Sequence, residues 1–227
     1  MNKAVVYCSQ TGFTEKYATW LAEDLGCRAV AYAGRSSVDV EALDVLVFCS
    51  WFHAATIKGA TWVKQVMARH PAMHVIVLAT GATPPPASGW SSEGEIEQAF
   101  RRTFPKAEYP NLPHFYCHGG FDLDRLGVAD RVAMRLFFRM LGKSAQGDQK
   151  AGEMLDIMRK GFDGTSREYL RPVLEHIADL ESAEGAAGEP GAESAASAVS
   201  EPGAAGRARG SCEPGRAGKA SEVRKTC

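Results

Sequence analysis

The segment KAVVYCSQTGFTEKYATWLAEDLG, Lys3–Gly26, decides the fold of the 227-residue chain. Its beginning, Lys3–Cys8, is mostly apolar and predicts a buried strand. The stretch Phe13–Leu25 predicts a helix, because apolar side chains recur every four positions at Phe13, Tyr17, Leu21 and Leu25. Gly26 follows at a position where helices commonly end. A strand, a short polar turn and a helix make the first half of a β-α-β unit.

Strand and helix patterns alternate along the chain after this unit. Apolar runs predict further strands at Cys27–Ala33, Leu43–Ser50, His74–Thr80 and His114–His118. Helical patterns cover Ile57–Arg69, Ser91–Arg102, Val128–Leu141, Gln149–Lys160 and a last helix from Pro172 to Glu181. Continuously apolar strands that alternate with helices indicate a parallel sheet covered on both faces. We therefore predict an α/β fold, a flavodoxin-like doubly wound sheet of five parallel strands in the order 2-1-3-4-5.

The composition changes sharply near Ser182. Residues 182–227 contain 12 Ala, 8 Gly, 6 Ser and 3 Pro, but no Leu, Ile, Phe, Tyr or Trp. Such a segment cannot bury enough apolar surface to offset its chain entropy. We predict one folded domain over residues 1–181 and a disordered low-complexity tail over residues 182–227. Within the tail, Glu-Pro-Gly recurs at Glu189, Glu201 and Glu213.

The charge of the chain is balanced, with a formal net charge of −1. Leaving out the six basic and six acidic residues of the tail, the folded part holds 20 basic and 21 acidic groups. This balance provides no field that would attract nucleic acid. No apolar run reaches the roughly 20 residues that span a bilayer. No signal-peptide pattern precedes the first strand, so we expect a cytoplasmic protein.

The six cysteines include no C-x-x-C pair and no spacing typical of a metal site. We therefore expect reduced thiols in this compartment, with neither a disulfide framework nor a zinc site.

In the predicted fold a ligand binds at the carboxyl ends of the strands, where the strand order reverses between strands 1 and 3. The first loop at this point is Ser9-Gln10-Thr11-Gly12-Phe13-Thr14. It opens a helix, whose N-terminus offers unpaired N–H groups and a partial positive charge to an anion. The loop adds three hydroxyls and a glycine, and it contains no Lys, Arg or carboxylate. We therefore predict that it binds a single terminal phosphate without a metal ion.

Other sites of similar architecture lack their defining residues here. The first loop has neither G-x-x-x-x-G-K-[ST] for a nucleoside triphosphate nor G-x-G-x-x-G for a dinucleotide. A tyrosine-phosphatase loop that started at Cys8 would need Arg where the chain has Thr14, so we interpret Cys8 as a structural thiol. A phosphoacceptor receiver domain would need acidic residues in place of Ser9-Gln10 and Ser50-Trp51.

The second and third loops offer aromatic rings and exposed backbone. The second loop holds Trp51, Phe52, His53, Ala54 and Ala55, and the third begins with Gly81, Ala82 and Thr83 before three prolines. Aromatic side chains stack on flat rings, and a loop rich in small residues presents backbone N–H and C=O groups to a ring edge. The alternative is that Trp51 and Phe52 belong to the core. A phosphate at the first loop and a flat ring between the other two fit flavin mononucleotide (FMN).

These segments resemble a known family. SQTGFT is similar to the phosphate loop of flavodoxins. TIKGATWVKQ, VLATGATPP, FYCHGGFDLDRLGVADRVAMRLFFRML and SREYLRPVLEHIADLE resemble the branch of flavodoxin-domain proteins that includes the menaquinone-dependent protoporphyrinogen dehydrogenases. The resemblance covers about residues 1–181. It implies that Ser9, Thr11, Gly12 and Thr14 hold the FMN phosphate, with Gln10 and Phe13 in the same loop, and that residues 51–55 and 81–83 border the isoalloxazine.

Two functions remain open at this point. The first is an FMN-dependent oxidoreductase that moves electrons between a substrate and a quinone or a protein partner, with protoporphyrinogen as one candidate substrate. The second is a non-catalytic electron carrier of the flavodoxin type. Residues 50–56 and 81–90 contain no Asp or Glu, so we expect a reduction potential less negative than that of an acidic carrier. The sequence assigns no catalytic acid or base.

The stretch Val128–Leu141 predicts a basic amphipathic helix. Arg131, Arg135 and Arg139 are four residues apart, and Lys143 continues the series. A helix of this kind can lie on an anionic membrane surface, which would place the protein at the inner face of the membrane. The alternative is a packed helix with a solvated basic face. The sequence does not determine the oligomeric state.

Overall fold

A computed structural model describes residues 1–53, 56–84, 93–144 and 149–187. Its main sheet has five parallel strands, β1 Lys3–Tyr7, β2 Arg28–Ala31, β3 Val45–His53, β5 His74–Gly81 and β6 His114–His118. A short strand, β4 Thr56–Ile57, pairs antiparallel with the end of β3. The parallel strands lie in the order β2-β1-β3-β5-β6. Since β4 is only a hairpin partner of β3, this is the predicted doubly wound order, and the predicted fold class is confirmed.

Helices cover both faces of the sheet. Their bounds are α1 Phe13–Leu25, α2 Ala60–Arg69, α3 Glu93–Thr103, α4 Val128–Ser144, α5 Gln149–Lys160 and α6 Arg171–Ala187. Helices α1 and α6 pack on one face, and α2 and α3 pack on the other. No helix among the described residues has the length and the apolar character needed to cross a lipid bilayer.

The core follows from side-chain alternation along the buried strands. In β1, Val5 packs on the α1 face and Val6 on the α2 face, and both are fully buried. The central strand β3 repeats this division at Val47 and Phe48. Because successive side chains of a strand point to opposite faces, a continuously apolar strand supplies both halves of the core.

The chain between β3 and α2 differs from its prediction. The apolar spacing predicted a helix from Ile57, but Ile57 lies in β4 and α2 begins at Ala60. Ile57 is buried from the strand, and its backbone N–H donates to Thr103 Oγ1 at 2.8 Å. A buried Ile57 in a strand just before α2 stands at the same sequence spacing as an apolar residue in the first turn of a longer helix. The sequence pattern alone therefore cannot separate the two. The predicted helix start at Ser91 lies outside the described residues.

The last helix is longer than predicted. Helix α6 begins at Arg171 and continues to Ala187, beyond the predicted end at Glu181. Glu184 and the three alanines of residues 182–187 extend the helix, since both residue types favour helices. Residues 188–227, which make up most of the predicted tail, lie outside the described residues.

Helices α4 and α5 form an excursion from the carboxyl edge of the sheet. The chain leaves through β7, Gly120–Phe121, and returns through β8, Phe162–Asp163, and these two strands pair antiparallel. The sequence did not predict this small ribbon, because two-residue strands carry no periodicity. The ribbon fixes both ends of the α4–α5 excursion beside the loops that follow the sheet strands.

Tyr17 links α1 to two later segments and provides a test of the fold. Its hydroxyl donates to His118 O at 2.7 Å and accepts from Ser166 N at 3.0 Å, and the residue is fully buried. We predict that Tyr17→Phe lowers the free energy of unfolding by about 1–3 kcal/mol, because two part-buried backbone groups lose their partner. Urea unfolding measures the change.

The matched control is Tyr7→Phe. The Tyr7 hydroxyl donates to Glu15 Oε1 in an exposed hydrogen bond, so its loss is expected to cost less than about 0.5 kcal/mol. Equal effects of the two substitutions would contradict the role assigned to Tyr17.

Candidate functional site

A cleft of about 390 Å³ opens at the carboxyl ends of β1, β3 and β5. One wall comes from the three loops that the sequence singled out, and the other comes from the β6–β7 turn, α4 and α5. The predicted site residues that line it are Gln10, Thr11, Phe13, Thr14, Trp51, Phe52, His53, Gly81 and Ala82. Ser9, Gly12 and Thr83 do not line the cleft but shape the loops that do. Ala54 and Ala55 lie outside the described residues.

The first loop turns sharply into α1 at Gly12. Gly12 has φ 94°, in the left-handed region that glycine adopts without strain, and its N–H donates to Ser9 Oγ at 3.1 Å. The first intrahelical bond runs from Lys16 N to Gly12 O at 3.0 Å. The amides of residues 13–15 precede it and have no partner within the helix. The turn therefore leaves a set of N–H donors at the N-terminus of α1.

Thr14 is placed differently from the other hydroxyls of the loop. It is 2% exposed, and its Oγ1 lies 2.7 Å from Oγ1 of Thr80 at the end of β5. Thr80 in turn lies 3.4 Å from the carbonyl oxygen of Ser50. Thr14 thus ties the helix start to the neighbouring strands, and its hydroxyl is already engaged on the floor of the cleft.

Arg125 brings a cation to the first loop that the loop's own sequence lacks. Its Nη1 donates to Thr11 O at 3.1 Å and would lie 3.3 Å from a Cβ at Gly12. An ion pair with Asp122, 3.2 Å from Nε to Oδ2, holds the guanidinium from the other side. Residues 9–14 themselves contain no Lys or Arg. The fold nevertheless places the positive charge of Arg125 against them.

The second loop is a hairpin rather than an open loop. Strand β3 continues to His53 and pairs with β4, with Phe52 opposite Ile57 and His53 opposite Thr56. The rings of Trp51 and His53 meet edge to face, 5.1 Å between centroids. Trp51 and Phe52 line the cleft and are partly exposed, and Phe52 also packs against the core on the α2 face.

The third loop is held against the second by Tyr116. The Tyr116 hydroxyl donates to Thr83 O at 2.6 Å, and its ring lies 6.2 Å from that of Phe52. Burial raises the pKa of the Tyr116 phenol, so it remains a donor. A side chain at Gly81 would place its Cβ 3.0 Å from the Tyr116 hydroxyl. Glycine at this position therefore allows Tyr116 to fix the loop that borders the cleft.

Asp130, in the first turn of α4, connects the two sides of the cleft. Its carboxylate accepts from Gln10 Nε2 at 2.7 Å and lies 3.2 Å from His53 Nε2. Hydrogen bonds from Gln10 and then from His53 lower the pKa of the Asp130 carboxyl, which keeps it ionised. The other side-chain atom of Gln10, Oε1, is buried without a hydrogen-bond partner. Asp130 therefore holds the side chain of Gln10 and the ring of His53 from the α4 side of the cleft.

Residues 50–56 and 81–90 contain no Asp or Glu, but other segments bring acidic side chains to the cleft. Asp122 and Asp130 also line it. The two carboxylates come from a segment far along the chain, and no local pattern places them beside the first loop. A signal was nevertheless present, because both acids fall in the segment 115–141 that carries the family resemblance.

The remaining chemistry of the described residues agrees with a binding site rather than a nucleophilic one. Burial raises the pKa of the Cys8 thiol, against the opposing effect of Lys58, so Cys8 is a thiol at neutral pH and not an activated nucleophile. Within the described part of the chain, no group of His, Cys, Asp or Glu side chains is arranged to hold a metal ion.

Comparison with solved structures finds distant similarity. The Trp repressor binding protein from Bacillus subtilis shares 15% identity and a TM-score of 0.34, over 52% of this chain and 85% of that one. A candidate flavoprotein from Bacteroides eggerthii shares 19% identity and a TM-score of 0.31, over 51% of this chain and 85% of that one. Another from Bacteroides uniformis shares 16% identity and a TM-score of 0.32, over 52% and 88%. No curated protein matches the chain significantly.

Comparison with protein families gives a direct match. A family model described as a flavodoxin domain matches residues 4–148, which is well over half of the 227 residues. The matched range contains β1 to β6, all three loops of the cleft and the Asp130 contacts. The chain therefore belongs to the flavodoxin domain family.

Proposed function

We propose that the protein is an FMN-binding oxidoreductase that moves electrons between a substrate and a quinone or a protein partner. The observation that carries this proposal is the division of one cleft into two ends. Phosphate donors lie at the start of α1, and aromatic and backbone groups lie at the ends of β3 and β5. Membership of the flavodoxin domain family supports a flavin as the cofactor, and FMN is the flavin with one terminal phosphate.

The phosphate end fits a singly phosphorylated ligand. Backbone amides at the start of α1 and the guanidinium of Arg125 converge on the turn at Gly12. Helix N-termini and guanidinium groups both favour a phosphate. Asp122 is paired with Arg125, and no group of acidic side chains among the described residues is arranged to hold a metal ion. A phosphate bound here would be neutralised by protein donors alone.

The ring end fits a flat, partly polar ligand. Trp51 and Phe52 supply aromatic surface, and the backbone of Gly81 and Ala82 lies at the cleft edge. The polyol chain of FMN, which links its phosphate to its ring, carries hydroxyls that would pair with polar residues lining the cleft, such as Gln10 and Thr11.

The residues of the chain bind and orient the cofactor, and bound FMN would supply the electron-transfer chemistry itself. Asp130 holds His53 and Gln10 in fixed positions from the α4 side. Leu126, Met134 and Met158 also line the cleft, and their apolar side chains would shield a bound ring from water. We assign no side chain as a general acid or base.

A quinone acceptor is favoured over a purely protein acceptor by charge. The folded part holds 20 basic and 21 acidic residues, whereas a dedicated carrier needs a strong field of one sign to steer it to its partners. Protoporphyrinogen is the substrate candidate that the family branch suggests. A flavodoxin-type carrier is the alternative function.

The first test concerns the phosphate end. We predict that Arg125→Gln weakens FMN binding about three- to tenfold, since a charge-assisted hydrogen bond is lost at a partly exposed site. Binding of riboflavin, which lacks the phosphate, should not change. Titration of the apoprotein by flavin fluorescence measures both affinities.

The control for this variant is Arg69→Gln, an equal charge change at the exposed end of α2. It should leave both affinities unchanged. If Arg125→Gln weakened riboflavin and FMN equally, the guanidinium would not act on the phosphate.

The second test separates the enzyme from the carrier. We predict that the purified FMN-loaded protein oxidises protoporphyrinogen with a water-soluble quinone as acceptor, over many turnovers, as followed by porphyrin fluorescence. Catalysis should disappear when FMN is removed and return when it is added back. Electron exchange with a flavoprotein reductase in the absence of any quinone turnover would identify the protein as a carrier.

A further inference from the structure

The outward face of α4 is apolar and exposed. Val128, Val132, Leu136 and Met140 are 80%, 61%, 59% and 62% exposed. Residues spaced four apart lie on one stripe of a helix. Phe137, at the border of this stripe, is also largely exposed, and Ile157 of α5 is a further exposed apolar residue. Soluble proteins rarely leave such a contiguous apolar surface without a partner. We call the stripe Val128, Val132, Leu136 and Met140 the outward face.

Two arginines lie on the same side of the helix. Arg135 and Arg139 are exposed, and each follows a member of the outward face by three positions. Arg131 belongs elsewhere, because its guanidinium donates to Leu126 O at 3.1 Å and also to Asp124 O. The basic series expected from the sequence is therefore divided, with Arg131 anchoring the preceding loop. The Lys143 side chain lies outside the described residues.

Acidic groups are absent from the described part of the outward face. Asp130 is the only carboxylate among the α4 side chains that the structure describes, and it faces Gln10 and His53 in the cleft. On the neighbouring helix α5, Asp156 is 4.0 Å from Arg159. The apolar outward face therefore lies beside two arginines, Arg135 and Arg139, that have no ion-pair partner among the described residues.

The inward side of the same helix belongs to the candidate site. Ala133 and Met134 line the cleft, and Phe138 is buried with its ring 5.8 Å from that of Phe121. The cleft and the outward face therefore lie on opposite sides of α4.

We propose that the outward face of α4 docks on the surface of an anionic lipid bilayer. Its apolar side chains would enter the boundary between headgroups and acyl chains, and Arg135 and Arg139 would meet the lipid phosphates. The purpose of this docking rests on the proposed function, because it would bring the cleft beside α4 close to a quinone dissolved in the membrane.

Two other occupants fit the face less well. The part of the chain outside the described residues at the C-terminus, residues 188–227, contains no Leu, Ile, Phe, Tyr, Trp or Met, so it offers few apolar groups to cover the stripe. A second copy docked face to face by two-fold symmetry would bring Arg135 and Arg139 close to their own counterparts. Repulsion between like charges disfavours that arrangement.

The experiment is flotation of the full-length, FMN-loaded protein with two kinds of vesicle. One kind is pure phosphatidylcholine, and the other also contains phosphatidylglycerol. We expect binding to the anionic vesicles alone, with weakening at higher salt. Each arginine should contribute about fivefold to the affinity, so Arg135→Glu with Arg139→Glu should reduce binding at least about 25-fold. Leu136→Glu should also reduce binding, because it places a charge in the apolar stripe.

The matched control is Arg28→Glu with Arg69→Glu. Both residues are exposed near the amino ends of the strands, away from α4. This variant should bind anionic vesicles within about twofold of the unmodified protein. Retention of the bound-flavin spectrum in each variant shows that folding is intact.

Three outcomes would overturn the docking proposal. The first is no binding of the FMN-loaded protein to anionic vesicles, and the second is an equal loss in the control variant. The third is a dimer that Leu136→Glu converts to a monomer, without vesicle binding, which would make a second copy the occupant. The readout is the fraction of protein that floats with the vesicles, and it does not depend on flavin chemistry. The two proposals can therefore fail separately: a protein that takes up no FMN but still floats with anionic vesicles would refute the proposed function and support the docking.

Discussion

The rest of the structure depends on the pairing of β1 with two parallel neighbours at once. Because β1 pairs with β2 on one side and β3 on the other, the connections from these strands leave toward opposite faces of the sheet. The loops after β1 and β3 consequently diverge and leave a gap at the carboxyl edge. The core on either face holds this pairing in place, since Val5 and Val6 are fully buried on the two sides. The first and second loops, which Asp130 links through Gln10 and His53, lie on the two sides of that gap.

Helix α4 combines two surfaces that have different physical demands. Its inward residues complete the cleft, and Asp130 secures the helix to the first and second loops through Gln10 and His53. Its outward residues are among the most exposed apolar side chains described. Covering the outward side of α4 would need a further segment packed on it. The chain instead returns from α4 through α5 to β8. The placement of α4 is thus governed by the cleft, and the composition of its outer side is free to serve an external partner.

Much of the fold was predictable, and the failures have identifiable causes. The bounds of α1, β6 and α5 match their predictions because each has a regular repeat and a clear end, as Gly26 provides for α1. The start of α2 failed because Ile57 is buried from a strand. The turn at Gly12 and the start of α1 at Phe13 were predicted because the signals for them are local. Arg125 and Asp130 escaped detection because their contacts with Thr11 and Gln10 span more than one hundred residues of sequence.

The sequence by itself determined the doubly wound sheet, the turn at Gly12 and the positions of the three loops at the carboxyl ends of the strands, because these follow from periodicities and turn chemistry within short segments. Only the tertiary structure decided the electrostatics of the cleft and the character of α4. The β7–β8 ribbon positions the intervening segment, which brings Arg125 to Thr11 of the first loop and Asp130 between Gln10 of the first loop and His53 of the second. Charge interactions depend on distances through space. Those distances become defined only when segments far apart in the chain are packed together.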